Sequence, residues 1–233
     1  MTDASIPRFI YLPKRNPRLS IEEFRERWRQ HSLLGATVPG LRSKFTQVAQ
    51  CMNVYDRSVF PAASFDYDGV NILNMTHHGA QQELFQLDDI HRVMFPDELD
   101  TFNAYVRHFS LFAKGVVAND GAMRPRVLVN FLKRRQDVSE ADFTNDLEVA
   151  LGELVAGSDR RAVVNHVWDR QPDYNYDAVT ELWFKDDADL AEFTANKRYA
   201  ETYLGRRAGV CSERRGVTMW TFVSYARPAL DGV

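Results

Sequence analysis

Cysteine is scarce in this chain of 233 residues: the only two are Cys51 and Cys211, and they lie in separate halves. They form no Cys-x-x-Cys pair and lack the spacing of a metal-ligand set, which indicates two free thiols in a reducing compartment. No apolar run is long enough to span a membrane, and the first residues lack the apolar core of a signal peptide. These absences predict a cytoplasmic protein that does not interact with membranes.

An excess of charge of one sign is also missing. The chain has 29 Lys and Arg residues intermixed with 32 Asp and Glu residues, for a formal net charge of −3. No basic stripe favours nucleic-acid binding. The sequence also lacks a glycine-rich phosphate loop and a G-x-S-x-G nucleophile elbow. We therefore predict no nucleic-acid partner and no nucleotide or flavin cofactor.

A metal site is not favoured either, although three histidines lie close together in the sequence, at His77, His78 and His91. Adjacent residues on a strand point to opposite faces, so His77 and His78 cannot easily bind one ion. His91 follows Asp88 and Asp89 in a composition that is common on helix surfaces. The sequence thus predicts no metal and no cofactor.

Hydrophobic residues make up 45% of the chain and aromatic residues 12%, which is enough for a sizeable core. The turn signal Asn-Asp-Gly at residues 119–121 divides the chain into two halves, 1–120 and 121–233. In both halves the hydrophobic patterns predict the order strand, helix, strand, strand, helix, strand. This βαββαβ order is that of the ferredoxin-like unit, so we predict an α+β fold built from two such units.

Two short motifs occur once in each half. A serine followed four residues later by phenylalanine begins a predicted helix at Ser20 and again at Ser139. The sequence Tyr-Asp-[Gly/Ala]-Val precedes a predicted strand at Tyr67 and again at Tyr176. These echoes favour a tandem duplication within one chain.

The first predicted helix begins with a clear start signal. Ser20 stands at the N-cap position, and Glu23 follows at the capping-box spacing. Phe24, Trp28 and His31 then fall at i, i+4 and i+7, so they share one face of the helix. The pattern places one imidazole at the end of a buried aromatic stripe.

This stretch resembles the first strand and helix of the EthD-like family. The resemblance rests on the run from Lys14 to Leu34, K-R-x-x-x-L-S-x-x-x-F-x-x-x-W-x-x-H-S-L-L. It implies a dimeric α+β barrel, in which two ferredoxin-like units pack sheet to sheet, with a pocket between the helices and the sheet of a unit. Because both units lie in one chain here, the barrel would form within a monomer, and a homodimer through the outer helices would be additional.

The two halves differ at the stripe, since Leu147 and Ala150 stand where the first half has Trp28 and His31. An imidazole titrates near neutral pH, so His31 could accept a proton from carbon or oxygen and return it elsewhere. Alternatively, a histidine near a helix C-terminus can simply bond a free backbone carbonyl. The resemblance favours catalysis, and we predict His31 as a general base.

Two further residues are candidates to stabilise a developing oxyanion. Tyr11 lies on the first predicted strand, and His108 lies on a strand predicted from Tyr105 to Ala118. A phenol or a second imidazole can donate a hydrogen bond to an oxyanion. Alternatively, both residues are structural, with Tyr11 packed in the core and His108 satisfied within the barrel.

The second half offers a different pair of candidates. If the hairpin between the strands is regular and centred between Asp173 and Tyr174, His166 lies opposite Glu181. A carboxylate beside an imidazole holds its tautomer and raises its basicity, as a general base requires. The same two residues could equally be a cross-strand ion pair with a structural role.

The sequence leads us to predict a cofactor-independent lyase that acts on a small aromatic metabolite in a catabolic pathway. Elimination, dehydration or retro-aldol cleavage needs only a base, an acid and a dry pocket. The substrate would contact aromatic side chains, for which the candidates are Phe24, Trp28 and Trp183. The alternatives are a cofactor-free monooxygenase of a phenol, a non-catalytic binding protein and, with less support, a haem-binding barrel.

Overall fold

The structure is a computed structural model that describes residues 5–212 and 216–230. Within these ranges it contains eight strands, which form a closed barrel in the order β1-β3-β2-β8-β5-β7-β6-β4. All neighbouring strands are antiparallel. The strands are β1 (Ile6–Tyr11), β2 (Phe45–Asn53), β3 (Gly69–Met75), β4 (Ser110–Asn119), β5 (Arg126–Leu132), β6 (Ala162–Arg170), β7 (Ala178–Phe184) and β8 (Val217–Arg227).

Helices cover the outside of the barrel. Across the described ranges, the α-helices are α1 (Ile21–Thr37), α2 (Pro39–Arg42), α3 (Ala80–Leu84), α4 (Phe95–Thr101), α5 (Glu140–Val155), α6 (Asp187–Ala195) and α7 (Gly205–Val210). Two π-helical turns occupy Ile90–Met94 and Tyr199–Leu204, and a 3₁₀ turn occupies Val106–His108. Helices α1, α3 and α4 share one hydrophobic core with strands of the first half, and α5, α6 and α7 share another with strands of the second. No helix of the described residues is both long enough and apolar enough to cross a membrane.

The strand order repeats along the chain. It is β4-β1-β3-β2 in the first half and β8-β5-β7-β6 in the second. The halves are joined edge to edge by hydrogen-bonded ladders, β2 with β8 and β4 with β6. Their inward faces meet in a third core inside the barrel. The predicted α+β barrel within one chain is therefore confirmed, but the halves form one continuous sheet and are not two separate sheets.

The start signal of α1 operates as predicted. The Ser20 side chain accepts the backbone N–H of Glu23 at 3.2 Å, and the Glu23 carboxylate accepts the backbone N–H of Ser20 at 2.8 Å. The helix buries Phe24, Trp28 and His31 on one face. Because residues spaced by three and four positions align on a helix, this face was readable from the sequence alone.

Candidate active site

A cavity lies between α1, α2, α3 and the outer face of β1, β2 and β3. Much of its wall is apolar, formed by Phe9, Leu41, Phe45, Val48, Leu73, Leu84, Phe85, Ile90, Met94 and Val106. Its polar wall residues are Tyr11, His31, Ser32, Arg42, Asn71, Glu98, Tyr225 and Arg227. An apolar pocket with a few convergent polar groups is the usual form of a small-molecule site.

His31 is buried on this wall, with 5% of its surface exposed. Its Nδ1 lies 2.6 Å from Asp97 Oδ2, and the guanidinium of Arg27 donates to Asp97 Oδ1 at 2.5 Å. Burial raises the pKa of Asp97, but the hydrogen bonds from His31 and Arg27 outweigh this and lower it below its usual value. Asp97 is therefore an anion that accepts the Nδ1 proton. Nε2, which has no hydrogen-bond partner among the described residues, is left as the basic nitrogen.

Asp97 did not appear among the residues expected from the sequence. It lies in the first turn of α4 after Pro96, and a proline followed by acidic residues is a typical helix start. That signal places Asp97 at a helix terminus. It does not indicate contact with His31, which lies 66 positions earlier in the chain.

Tyr11 lies on the same cavity wall as His31, so the structure brings these two predicted residues together. The phenol oxygen accepts hydrogen bonds from Asn71 Nδ2 at 2.5 Å and from Trp28 Nε1 at 3.5 Å. Burial raises the pKa of Tyr11 to about 12, although these two hydrogen bonds lower it. Tyr11 therefore keeps its proton at neutral pH and can act as a hydrogen-bond donor.

Glu98 is a second residue that the sequence did not indicate. It is 4% exposed, lies on the cavity wall and accepts the backbone N–H of Val106 at 3.0 Å. Burial raises the pKa of Glu98 to about 7, the charge of Asp97 raises it further, and the Val106 hydrogen bond and Arg107 oppose the rise. A carboxyl group with this pKa can exchange a proton near neutral pH.

His108 is not on a strand as predicted. Residues Val106–His108 form a 3₁₀ turn, and β4 begins only at Ser110. The His108 ring is exposed, lies edge-on to Tyr105 and accepts a hydrogen bond from Arg107 Nε at 3.3 Å. The prediction failed because the Glu98 carboxylate holds the Val106 N–H, which a strand ladder would otherwise use.

His166 and Glu181 are not paired. His166 lies opposite Ala178, and Glu181 lies opposite Val163, because residues 171–177 form a longer connection than a regular hairpin. His166 Nε2 instead lies 2.7 Å from Glu148 on α5. The predicted dyad is therefore wrong.

Glu181 points into the barrel, on the opposite face of the sheet from the helices. It is fully buried and accepts hydrogen bonds from Asn165 at 2.7 Å and from Trp183 at 3.2 Å, with Arg8 3.8 Å away. Trp183 belongs to the same interior core. Neither of these two residues lines the cavity.

Phe24 and Trp28 are fully buried and stack on each other with ring centroids 5.3 Å apart. They form the core behind the cavity, and Trp28 reaches its wall only through the hydrogen bond to Tyr11. Their predicted role as direct substrate contacts is therefore not matched by their positions, since they support the wall from behind.

Solved structures of other proteins share this fold. An anthrone oxidase-like protein is similar over 97% of this chain and 94% of its own, with a TM-score of 0.63 and 10% identity. A protein from Fusobacterium nucleatum that is named as a monooxygenase is similar over 96% of this chain and 94% of its own, with a TM-score of 0.64 and 8% identity. A chlorite dismutase variant from Candidatus Nitrospira defluvii is similar over 94% of this chain and 91% of its own, with a TM-score of 0.53 and 10% identity. At these identities the likeness establishes the fold alone.

No protein-family model matches the sequence, and no curated protein matches it either. Membership of the EthD-like family therefore stays a prediction. The proteins of similar structure carry the names of an oxidase, a monooxygenase and a chlorite dismutase. This finding contradicts our expectation of a lyase, which we withdraw, and it favours the oxygenase alternative.

Proposed function

We propose that this protein is an enzyme, a cofactor-independent monooxygenase that oxidises a small phenolic or similarly electron-rich aromatic substrate in the first-half cavity. The observation that carries the proposal is the His31–Asp97 pair, at 2.6 Å, on the wall of a largely apolar cavity. The names of two proteins of similar fold, an anthrone oxidase-like protein and a monooxygenase, support the same class of reaction.

The chemistry begins with proton removal. His31 Nε2 takes a proton from the substrate while Asp97 stabilises the imidazolium that forms. The resulting carbanion or phenolate is rich in electrons and reacts with O₂. For an activated CH₂ group the balance is CH₂ plus O₂ to C=O plus H₂O, so one oxygen atom enters the substrate and the other leaves as water. The substrate supplies all four electrons. The Tyr11 hydroxyl stabilises the negative charge that forms on the substrate oxygen.

The same proposal includes the organisation of the chain. Residues 1–120 and 121–233 form two ferredoxin-like units of EthD-like type, and the repeated strand order supports their origin by duplication. Catalysis belongs to the first unit. The second unit completes the barrel, and the buried face of its helix α5 packs into a hydrophobic core.

Oxygen consumption tests the proposal directly. Wild-type protein is incubated with a panel of phenols that includes anthrone, in an oxygen electrode, and the products of a parallel reaction under ¹⁸O₂ are analysed by mass spectrometry. We expect one ¹⁸O atom in the product. We also expect His31→Ala to lower kcat/KM by about 10²–10⁴-fold, which is the usual contribution of a general base.

His166→Ala is the matched control, because His166 also pairs with an acidic side chain, Glu148, but lies in the other half of the molecule. It should retain the wild-type rate. Turnover that survives His31→Ala would contradict the assigned base. A Soret absorption band in purified active protein would contradict cofactor independence, and binding without turnover by wild type would favour a non-catalytic role.

A further inference from the structure

The floor of the cavity carries a polar group that proton removal by His31 does not use. Asn71 is 2% exposed and lines the cavity, and its Oδ1 atom is buried without a hydrogen-bond partner among the described residues. Buried side-chain oxygens in proteins are nearly always hydrogen-bonded, and an unsatisfied one costs free energy. An acceptor without a protein partner at a cavity therefore calls for a donor from outside the protein, either a ligand or a water.

The protein groups nearest to Asn71 along the sheet are already engaged. Asn71 lies between Tyr11 on β1 and Gln50 on β2 in the strand register. The Gln50 amide accepts from Ser32 at 2.6 Å and donates to Ser224 at 2.9 Å. The Asn71 amide nitrogen donates to the Tyr11 oxygen at 2.5 Å. These contacts fix the Asn71 side chain and leave Oδ1 without a partner among the described residues.

Tyr11 is the complementary partner on the floor. Its oxygen already accepts two hydrogen bonds, from Asn71 and from Trp28, so its own proton must be directed to another atom. No acceptor for that proton is present among the residues that the structure describes. The floor thus presents one donor, the Tyr11 hydroxyl, beside one acceptor, Asn71 Oδ1.

A donor beside an acceptor matches an aromatic ring system that carries a hydroxyl and a carbonyl, placed too far apart to bond each other. We propose that Tyr11 and Asn71 form a recognition subsite for an aromatic hydroxy-ketone, in which the ligand hydroxyl donates to Asn71 Oδ1 and the ligand carbonyl accepts from Tyr11. The identity of the subsite's ligand as a substrate rests on the proposed monooxygenase function, whereas its binding does not. The apolar wall residues of the cavity enclose the ring system.

Binding of unreactive ligands tests the subsite without turnover. The probes are 2-hydroxyanthraquinone, in which the hydroxyl is too far from the carbonyl to bond it internally, and unsubstituted anthraquinone, and the readout is quenching of tryptophan fluorescence. Wild type should bind the hydroxylated probe at least about tenfold more tightly, as one satisfied hydrogen bond allows. Asn71→Leu should abolish this preference, and Tyr11→Phe should weaken binding of both probes.

Tyr203→Phe provides the matched control, because Tyr203 is a buried, hydrogen-bonded phenol in the second half. It should preserve the tenfold preference. Equal affinity of wild type for the two probes would overturn the subsite and indicate that an ordered water satisfies Asn71, and this comparison needs no variant to fold. A preference that persists in folded Asn71→Leu would overturn it as well.

The two proposals fail separately. A hydroxyl preference without oxygen uptake on any substrate would leave the subsite intact and remove the monooxygenase. Oxygen incorporation without a hydroxyl preference would remove the subsite and leave the monooxygenase.

Discussion

The two halves of the molecule use the same elements for different purposes. Helix α1 and helix α5 both begin at a serine N-cap and both bury a phenylalanine four residues later. In the first half the face of α1 borders a largely apolar cavity, whereas in the second half the corresponding face of α5 packs into a hydrophobic core and the hollows lie beside α7 and at the polar side of α5. Side chains along one helix face therefore decide whether the cavity beside α1 has a counterpart beside α5.

Aligning the N-cap serines, Ser20 and Ser139, shows which positions of α1 and α5 correspond. Ser32, Gly35 and Ala36 of α1 line the cavity. The corresponding residues of α5 are Leu151, Leu154 and Val155, and all three belong to the core of the second half. Small side chains on α1 thus leave the volume that branched apolar side chains fill on α5.

The largest effect should come from opening the second half. Leu154→Gly gives α5 the glycine that α1 has at the corresponding position, Gly35, and should destabilise the protein by about 3–6 kcal/mol. The loss of a core leucine costs about 2–5 kcal/mol, and a glycine within a helix costs about 1 kcal/mol more. Urea denaturation measures the difference.

Leu33→Gly is the control for helix propensity, because Leu33 is an exposed residue within α1. It should cost only about 1 kcal/mol. Similar losses for the two variants would show that the second half tolerates a cavity as readily as the first, and the comparison of the two helix faces would fail.

Glu98 makes the stability of the first half depend on pH. Its pKa rises from 4.5 to about 7 on folding, so the protonated form favours the folded state. This contribution is fully present below about pH 4.5 and is lost as the pH rises through about 7. Relative to Glu98→Gln, wild type should lose up to about 3 kcal/mol of unfolding free energy over this interval.

Urea unfolding of both proteins at several pH values between about 4.5 and 8 measures this difference. Glu192→Gln serves as the control, because Glu192 is exposed on α6 in the second half. A constant difference between wild type and Glu98→Gln across the pH range would refute the buried, proton-binding carboxyl.

Asp97→Asn tests whether the base of the first half depends on a carboxylate. Asparagine keeps the size of the side chain but removes the negative charge that stabilises the His31 imidazolium. We expect kcat/KM for oxygen uptake to fall by about 10–100-fold, in line with other residues that orient a functional histidine.

Asp100→Asn is the matched control on the same helix, since Asp100 is mostly exposed and lies 3.8 Å from Arg27. Its rate should equal that of wild type. If Asp97→Asn were as active as Asp100→Asn, the His31–Asp97 hydrogen bond would have no part in the reaction.

The parts of the site that the sequence predicted are those set by local spacing. The capping box and the buried face with Trp28 and His31 follow from contacts within four residues, so periodicity was sufficient. Asn71 reaches Tyr11 across 60 positions through the β1–β3 pairing, and Asp97 reaches His31 across 66 positions where α4 packs on α1. No local pattern carries that information.

The two wrong predictions, for His166 and for His108, have similar causes. The strand partner of His166 depends on the length of the turn between β6 and β7. Asp177 bonds to Lys133 and Arg134, and these bonds keep it outside the β6–β7 ladder. A shift of register changes every partner along a strand. Residues near His108 had strand-forming composition, but a buried carboxylate claimed the backbone N–H that would start the strand.

The smallest expected difference lies at the helix caps. Ser20→Ala and Ser139→Ala each remove one side-chain acceptor and should cost about 0.5–2 kcal/mol of unfolding free energy. At α1, the backbone N–H of residue 20 still donates to Glu23 after the substitution. At α5, Ser139 Oγ both accepts the Asp142 N–H and donates to the Asp142 carboxylate, so both bonds are lost. Ser139→Ala should therefore be the more costly change in urea denaturation; the reverse order would mean that the reciprocal bond at α1 depends on the serine hydroxyl.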